Sequence, residues 1–228
     1  VPHGHSLPNV SSPTPAQPSA TSSPSLTERR KAATRMEIAR AAAALFVRRG
    51  LRATRAEDIA QAAGIAPRTF YRYFATKEEA VSPLYAVGAD RWTQAVSDAP
   101  AELPVPQALE HALRHTLTPG AGVSEASWEW ARTLVRLAIS NPALRKVWAE
   151  VCHESEAKLA EALAQRSGTD NVAAHNFAAA VAAASVRVAV ETWATGDASA
   201  DGPQGPAAQA LRNLDALRNF PWEDITAV

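Results

Sequence analysis

The chain has a single cysteine, Cys152, among its 228 residues, so no internal disulfide can form, and no Cys/His spacing suits a zinc finger. No run reaches the roughly 18 apolar residues that a membrane span needs. The first residues carry neither a basic segment nor an apolar one, so a secretory signal is not expected. Excess charge of either sign is also absent, with 23 Lys+Arg against 23 Asp+Glu. There is no Gly-rich phosphate loop, no nucleophile elbow and no alternating strand pattern, which argues against an enzyme and against a sheet. Cys152 beside His153 is no catalytic pair, because neighbours on a helix point about 100° apart. A cytoplasmic, all-α protein with no cofactor is the expectation.

What is there is unevenly placed. Thr27 to Ala80 holds 12 Lys+Arg against 6 Asp+Glu, a net of +6, and residues 81–228 hold 11 against 17, a net of −6. Neutrality is therefore two segments cancelling, and the basic one suits a polyanion. Residues 1–26 contain no Asp, Glu, Lys or Arg, and 15 of them are Pro, Ser or Thr. Such a composition offers too little burial to offset chain entropy and predicts a disordered tail.

Within the basic segment, Ile38, Ala42, Leu45 and Phe46 recur at helical spacing, predicting a helix from Thr27 to Arg49 closed by Gly50. Its first turns hold Arg29, Arg30, Lys31 and Arg35, where cations oppose the helix dipole, and a phosphate backbone against that end would make the placement favourable. Thr54 with Glu57 reads as a capping box opening a second helix that Gly64 stops. Pro67 then suits the first position of a short third helix, Arg68 to Phe74. Phe70 and Phe74 share one face of it and Arg68 and Arg72 the other, with Thr69 and Tyr71 flanking the outer face and Tyr73 nearer the buried side. Helix, tight glycine turn and short helix make a helix-turn-helix.

The stretch from Ile38 to Val81, above all AAGIAPRTFYRYFATKEEAV (Ala62 to Val81), resembles the DNA-binding domain of TetR-family transcriptional repressors. The resemblance covers about 50 residues closely and the remainder only in helical pattern and length. It implies a homodimer with two helix-turn-helix heads reading a palindromic operator, and a helical C-terminal domain that releases DNA on binding a small molecule. By the same resemblance Arg68 and Thr69 match residues that reach base edges and nearby phosphates, and Tyr71, Tyr73 and Lys77 match backbone contacts. The chemistry agrees, since an Arg fork suits guanine O6 and N7, and hydroxyls and ammonium suit phosphate. Pro67 or the Thr69 methyl suits a thymine methyl. Two positions depart from the family pattern. Ala66 stands where a hydroxyl N-cap is usual, and Arg55 follows Thr54 where a second Thr or Ser is common, leaving the cap of the second helix open between them.

Beyond this head, residues 76–228 read as a ligand-binding and dimerisation domain. Thr76 and Glu79 predict a capping box for a fourth helix reaching Ser97 with Pro83 inside it, which means either a kink or two shorter helices meeting there. Further helices are predicted over 106–117, 124–140, 142–166, 171–195 and 206–219. All six tryptophans lie in this domain. Trp128, Trp148, Cys152 and Phe177, from three helices, are the candidate ligand group, extended by Trp92, Arg132 and Val135; each reads equally as core. The stripe Glu125, Glu129, Arg132 and Arg136 is spaced for helical salt bridges, or faces an anionic ligand group. Asn171 to Val186 lacks Asp, Glu, Lys and Arg and is half alanine, so it forms either the core helix of a monomer or, with the last helix, a four-helix interface on a two-fold axis. Ala179, Ala183, Val186, Val190, Leu211 and Leu214 are the candidate interface residues. His111 and His115 have ligand-like spacing but no further donors in register except Glu110, so no metal is expected. The whole predicts a ligand-released homodimeric repressor that binds double-stranded DNA. The alternatives are a ligand-independent regulator or activator, or a helical ligand-binding or scaffold protein with a vestigial head.

Overall fold

The computed structural model describes residues 25–120 and 124–218, and every regular element in it is helical. The Pro/Ser-rich tail lies, but for its last two residues, outside the described residues, as does Trp222. Helix α1 (Leu26–Arg49) starts where the tail ends, because Ser25 Oγ accepts the amide of Glu28 at 3.2 Å while Glu28 Oε2 accepts that of Ser25 at 2.7 Å. The sequence reading, which begins the helix at Thr27, misses this reciprocal Ser-x-x-Glu cap, which places an acid among the cations of the first turn. The bonds from Ser25 hold the Glu28 carboxyl below its usual range.

Helix α2 (Ala56–Ala62) and helix α3 (Pro67–Tyr73) follow. Gly64, at φ +68°, makes the turn between them in the left-handed region where a side chain would be strained. Thr54 is not the cap of α2: that position belongs to Arg55, whose amide donates to Asp58 Oδ2 at 2.9 Å. Thr54 is fully buried instead, donating to the Gly50 carbonyl at 2.9 Å. A 3-10 turn, Glu79–Val81, precedes helix α4 (Ser82–Asp98), and Thr76 Oγ1 accepts the Glu79 amide. Pro83 therefore sits in the first turn of α4, where its missing N–H costs nothing, and the two-helix alternative describes the joint better than a kink.

The remaining elements are α5 (Val105–Leu117), α6 (Glu125–Ser140), α7 (Pro142–Ser167), α8 (Val172–Thr195) and α9 (Pro206–Ala216). Helices α7 and α8 form the spine of the body, with α4 against α7, α6 against both, α9 against α8, and α5 packed across α4 and α9. One core runs from the head into the body. It joins Ile38, Phe46, Phe70 and Val81 to Tyr85 on α4, Leu134 on α6 and Val147 on α7. A second core, under α5, α8 and α9, contains Trp92, Leu109, Leu159 and Ala179, and a third gathers Trp128, Val135 and Trp193. Arg166 closes the C-terminus of α4 and the Pro-rich link by donating to the carbonyls of Ala99 at 2.7 Å, Pro100 at 2.8 Å and Leu103 at 3.0 Å.

Candidate DNA-binding face and effector cleft

Phe70 and Phe74 are buried beneath α3, and this fixes which side of the helix faces outward. Pro67, Arg68, Tyr71 and Arg72 are exposed, Tyr71 by 52%, while Thr69 and Tyr73 are half-buried at the edges. Arg29, Arg30, Lys31 and Arg55 are exposed as well. A row of exposed cations beside two arginines and a phenol on a short rigid helix can donate to phosphates and to base edges at once.

Three residues expected on this face are held within the fold. Thr54 is inaccessible, as described. Arg35 is half-buried, donates to the Tyr73 carbonyl at 2.8 Å and lays its guanidinium 4.4 Å from the centre of the Phe74 ring, so it fastens α1 to the end of α3. Lys77 donates to the carbonyls of Leu51 at 2.7 Å and Thr54 at 2.8 Å, which ties the start of the body to the loop between α1 and α2. Nothing local in the sequence marks either contact, because each partner is a backbone oxygen far along the chain.

In the body the expected ligand group separates. Trp148 and Cys152 line a cleft of about 690 Å³ between α7 and α8, together with Glu156, Arg187, Glu191 and Thr195. The Trp148 indole donates to Glu191 at 2.7 Å, and its ring meets Tyr85 edge-on with centroids 5.3 Å apart. Glu191 also pairs with Arg187 at 3.2 Å. Burial pushes the Cys152 thiol up to about 12, so it is neutral at ordinary pH. Trp128 is instead packed edge-on against Trp193 at 5.6 Å, Val135 shares that cluster, and Trp92 is buried in the second core. Phe177 lies on the open side of α8, 54% exposed. It is too far along the helix to reach Trp148 of its own chain, because α7 and α8 run antiparallel and Trp148 lies opposite Glu191.

The arginines of α6 do not face the cleft. Arg132 is buried, sits 4.4 Å over the Trp193 ring, pairs with Glu129 at 3.4 Å and donates to the Ala198 carbonyl. Arg136 donates to the carbonyls of Ala194 and Gly196, so both cap the C-terminal end of α8, where cations suit the dipole. The side chain of Glu125 lies outside the described residues. His111 and His115 stack at 6.2 Å, and no group of three or more metal-ligating side chains occurs among the described residues.

The expected interface residues also fall on another side. Ala179 and Leu214 are buried in the core of their own chain, Ala183, Val186 and Leu211 pack against it, and Val190 packs on the aromatic cluster. Those on α8 form one helical stripe, and this stripe faces the second core and, at Val190, the aromatic cluster shared with α6. The opposite stripe, Phe177, Ala184 and Val188, is the open one, with Val188 46% exposed.

The family profile described as "Bacterial regulatory proteins, tetR family" matches residues 38–81, and one described as "MftR C-terminal domain" matches residues 103–215. The HTH-type transcriptional regulator TcmR of Streptomyces glaucescens is 32% identical over 163 residues, 69% of this chain and 70% of that protein. This chain belongs to the tetR family of bacterial regulatory proteins. It is a DNA-binding transcriptional regulator, and regulators of this family bind DNA operators and small-molecule effectors and act as dimers. The HTH-type transcriptional repressor KstR2 of Mycobacterium tuberculosis is 52% identical over 50 residues, 22% of this chain and 25% of that one. Among solved structures, Thermus thermophilus FadR in complex with lauroyl-CoA aligns with a TM-score of 0.53 at 22% identity, covering 80% of this chain and 92% of that one. Salmonella enterica GusR aligns equally well, at 0.53 and 19% identity, over 82% and 96%. These two show the shared fold.

Proposed function

We propose that this tetR-family chain is a homodimeric repressor that leaves its operator when a small molecule fills the α7–α8 cleft. The observation that carries the DNA half is the outward face of α3: Arg68, Tyr71 and Arg72 exposed above buried Phe70 and Phe74. Arg68 reads a base in each half-site, Thr69 and Tyr71 position the helix, and the exposed turn of Arg29, Arg30 and Lys31 adds sequence-independent affinity. Two copies meet through the open stripe of α8, which places two heads on a palindrome about one DNA turn apart.

The cleft supports the effector half through one residue. Trp148 lines it and also touches Tyr85, whose hydroxyl donates to the Leu134 carbonyl at 3.1 Å and whose ring shares a core with the head. An occupant that displaces the Trp148 ring changes the packing of α4, and it shifts the equilibrium by its differential affinity for the two arrangements. The test is a selection of genomic fragments by the purified protein, followed by release of the selected operator by a metabolite collection while tryptophan emission is recorded. Selection without sequence enrichment refutes the DNA half; enrichment with no compound that both changes emission and releases DNA refutes the effector half.

A further inference from the structure

No unbroken apolar run reaches the length of a membrane span, but helix α8 is long and on average apolar enough to cross one, and only 39% of its most apolar stretch is buried within the chain. The unburied side is ordered rather than scattered. Phe177, Ala184, Val188, Glu191 and Thr195 recur at seven-, four-, three- and four-residue steps and so share one helical stripe, whose further member Val181 packs partly against the second core. Phe177 stands at one end of it and the α7–α8 cleft at the other, since Glu191 and Thr195 line that cleft. Ala184 lies midway, with Phe177 as many residues before it as Glu191 is after it. At 1.5 Å per residue each is about 10 Å from the alanine.

Resting on the dimer reading above, we propose that the effector site is shared: α8 crosses its symmetry mate antiparallel at Ala184, and Phe177 of the partner subunit closes each cleft. A two-fold interface brings the same surface against itself, so a residue on one side meets a residue at equal distance on the other side of the axis. In the antiparallel arrangement an aromatic ring meets a hollow, twice. A parallel arrangement would set Glu191 against its own copy and Phe177 against its own copy, leaving both hollows open and two carboxylates together. An alanine at the crossing allows the helices to approach closely. The ligand class follows from the walls: a flat aromatic molecule lying between the Trp148 ring and the partner's Phe177, with polar atoms directed at Thr195 and at the Glu191–Arg187 pair. The two sites of the dimer are then built from both chains.

The test is subunit complementation with two differently tagged chains and anilinonaphthalene sulfonate as a fluorescent aromatic probe. Trp148→Ala and Phe177→Ala homodimers each bind the probe about tenfold more weakly than the unmodified protein. A mixed dimer of the two has one site with both aromatics and one with neither, so it regains original affinity at half the original stoichiometry. A mixed dimer as weak as its parents, or a Phe177→Ala homodimer that binds like the original, overturns the proposal. In case Phe177→Ala dissociates the dimer, a second measurement uses Cys152→Ser chains carrying Phe177→Cys or Glu191→Cys. Oxidation cross-links the mixed pair if the two positions meet across the axis, and failure to cross-link a dimer overturns the shared cleft alone. Sedimentation of the original protein as a monomer at operator-binding concentration would remove the dimer reading itself. A monomer that co-sediments with phosphatidylglycerol vesicles would assign the stripe to a membrane and likewise overturn the proposal.

Discussion

Lys77 distinguishes a residue that touches DNA from one that holds the head in shape. Its ammonium donates to two carbonyls, those of Leu51 and Thr54, and its side chain is only 24% exposed. Lys77→Met keeps the length of the stem and removes both bonds. Hydrogen bonds to a charged group contribute about 1.5–3 kcal/mol each. Water recovers part of this at a partly exposed site, and the Leu51 carbonyl retains the Thr54 amide at 3.4 Å, so the expected cost for the pair is about 2 kcal/mol. For a protein of this size that lowers Tm by about 4–8 °C. The assay pairs thermal unfolding by circular dichroism with operator affinity across a salt series. The expected result is a lower Tm with an unchanged slope of log K on log[salt]. If Tm stayed put while the slope fell by about 0.9, Lys77 would have been neutralising one phosphate, and the internal role would be refuted.

Arg68→Ala should relax preference at one base pair of each half-site by about 1–3 kcal/mol, read by competition among operator variants; an equal loss on every sequence would move Arg68 to the backbone. Replacing Arg29, Arg30 and Lys31 by Gln should flatten the salt slope by nearly one unit for each phosphate these side chains neutralise, and an unchanged slope would leave the cluster as plain surface. Val188→Glu should give folded monomers by sedimentation, whereas Ala179→Glu should fail to fold, because one lies on the open stripe of α8 and the other in the core; the reverse pattern would return the interface to the stripe first expected. The Cys152 thiol is raised to about 12 by burial, so alkylation by iodoacetamide should remain slow at pH 8 and rise about tenfold per pH unit well beyond the ordinary thiol range. Because the fold favours the neutral thiol, its contribution to stability is present below the ordinary value of 9.0 and is lost as pH climbs toward 12; a plateau in alkylation near pH 9 would contradict this.

Most helix boundaries were legible because their signals are local. Ser124, Asn141 and Pro206 open helices and Gly50 closes one, each within a residue or two of expectation. The outward side of α3 was legible too, since Phe70 and Phe74 leave only one face for the arginines. What failed depended on distant partners. Thr54-x-x-Glu57 and Arg55-x-x-Asp58 both have cap spacing, and only the packing of the Thr54 hydroxyl onto the end of α1 decides between them. On α8 two apolar stripes alternate, and alanine serves a core or an interface equally well, so the periodicity is legible while the stripe chosen from it turns out to pack on the chain's own core. Arg132 and Arg136 read as a solvent or ligand stripe, but their acceptors are carbonyls about 60 residues away at the end of α8.

The core that joins Phe46 and Phe70 of the head to Leu134 and Val147 of the body sets a condition on exchanging parts between related regulators. A head excised after α3 would lack Val81, Tyr85 and the side chains of α6 and α7 that complete its interior. It should melt poorly or not fold at all, however well its helix-turn-helix is specified. A chimera that carries a foreign head must therefore also bring the first turn of α4 and matched residues on the two body helices beneath it. In this chain, changing the operator that is read and keeping the effector that is sensed are separable only on the outer surface of α3.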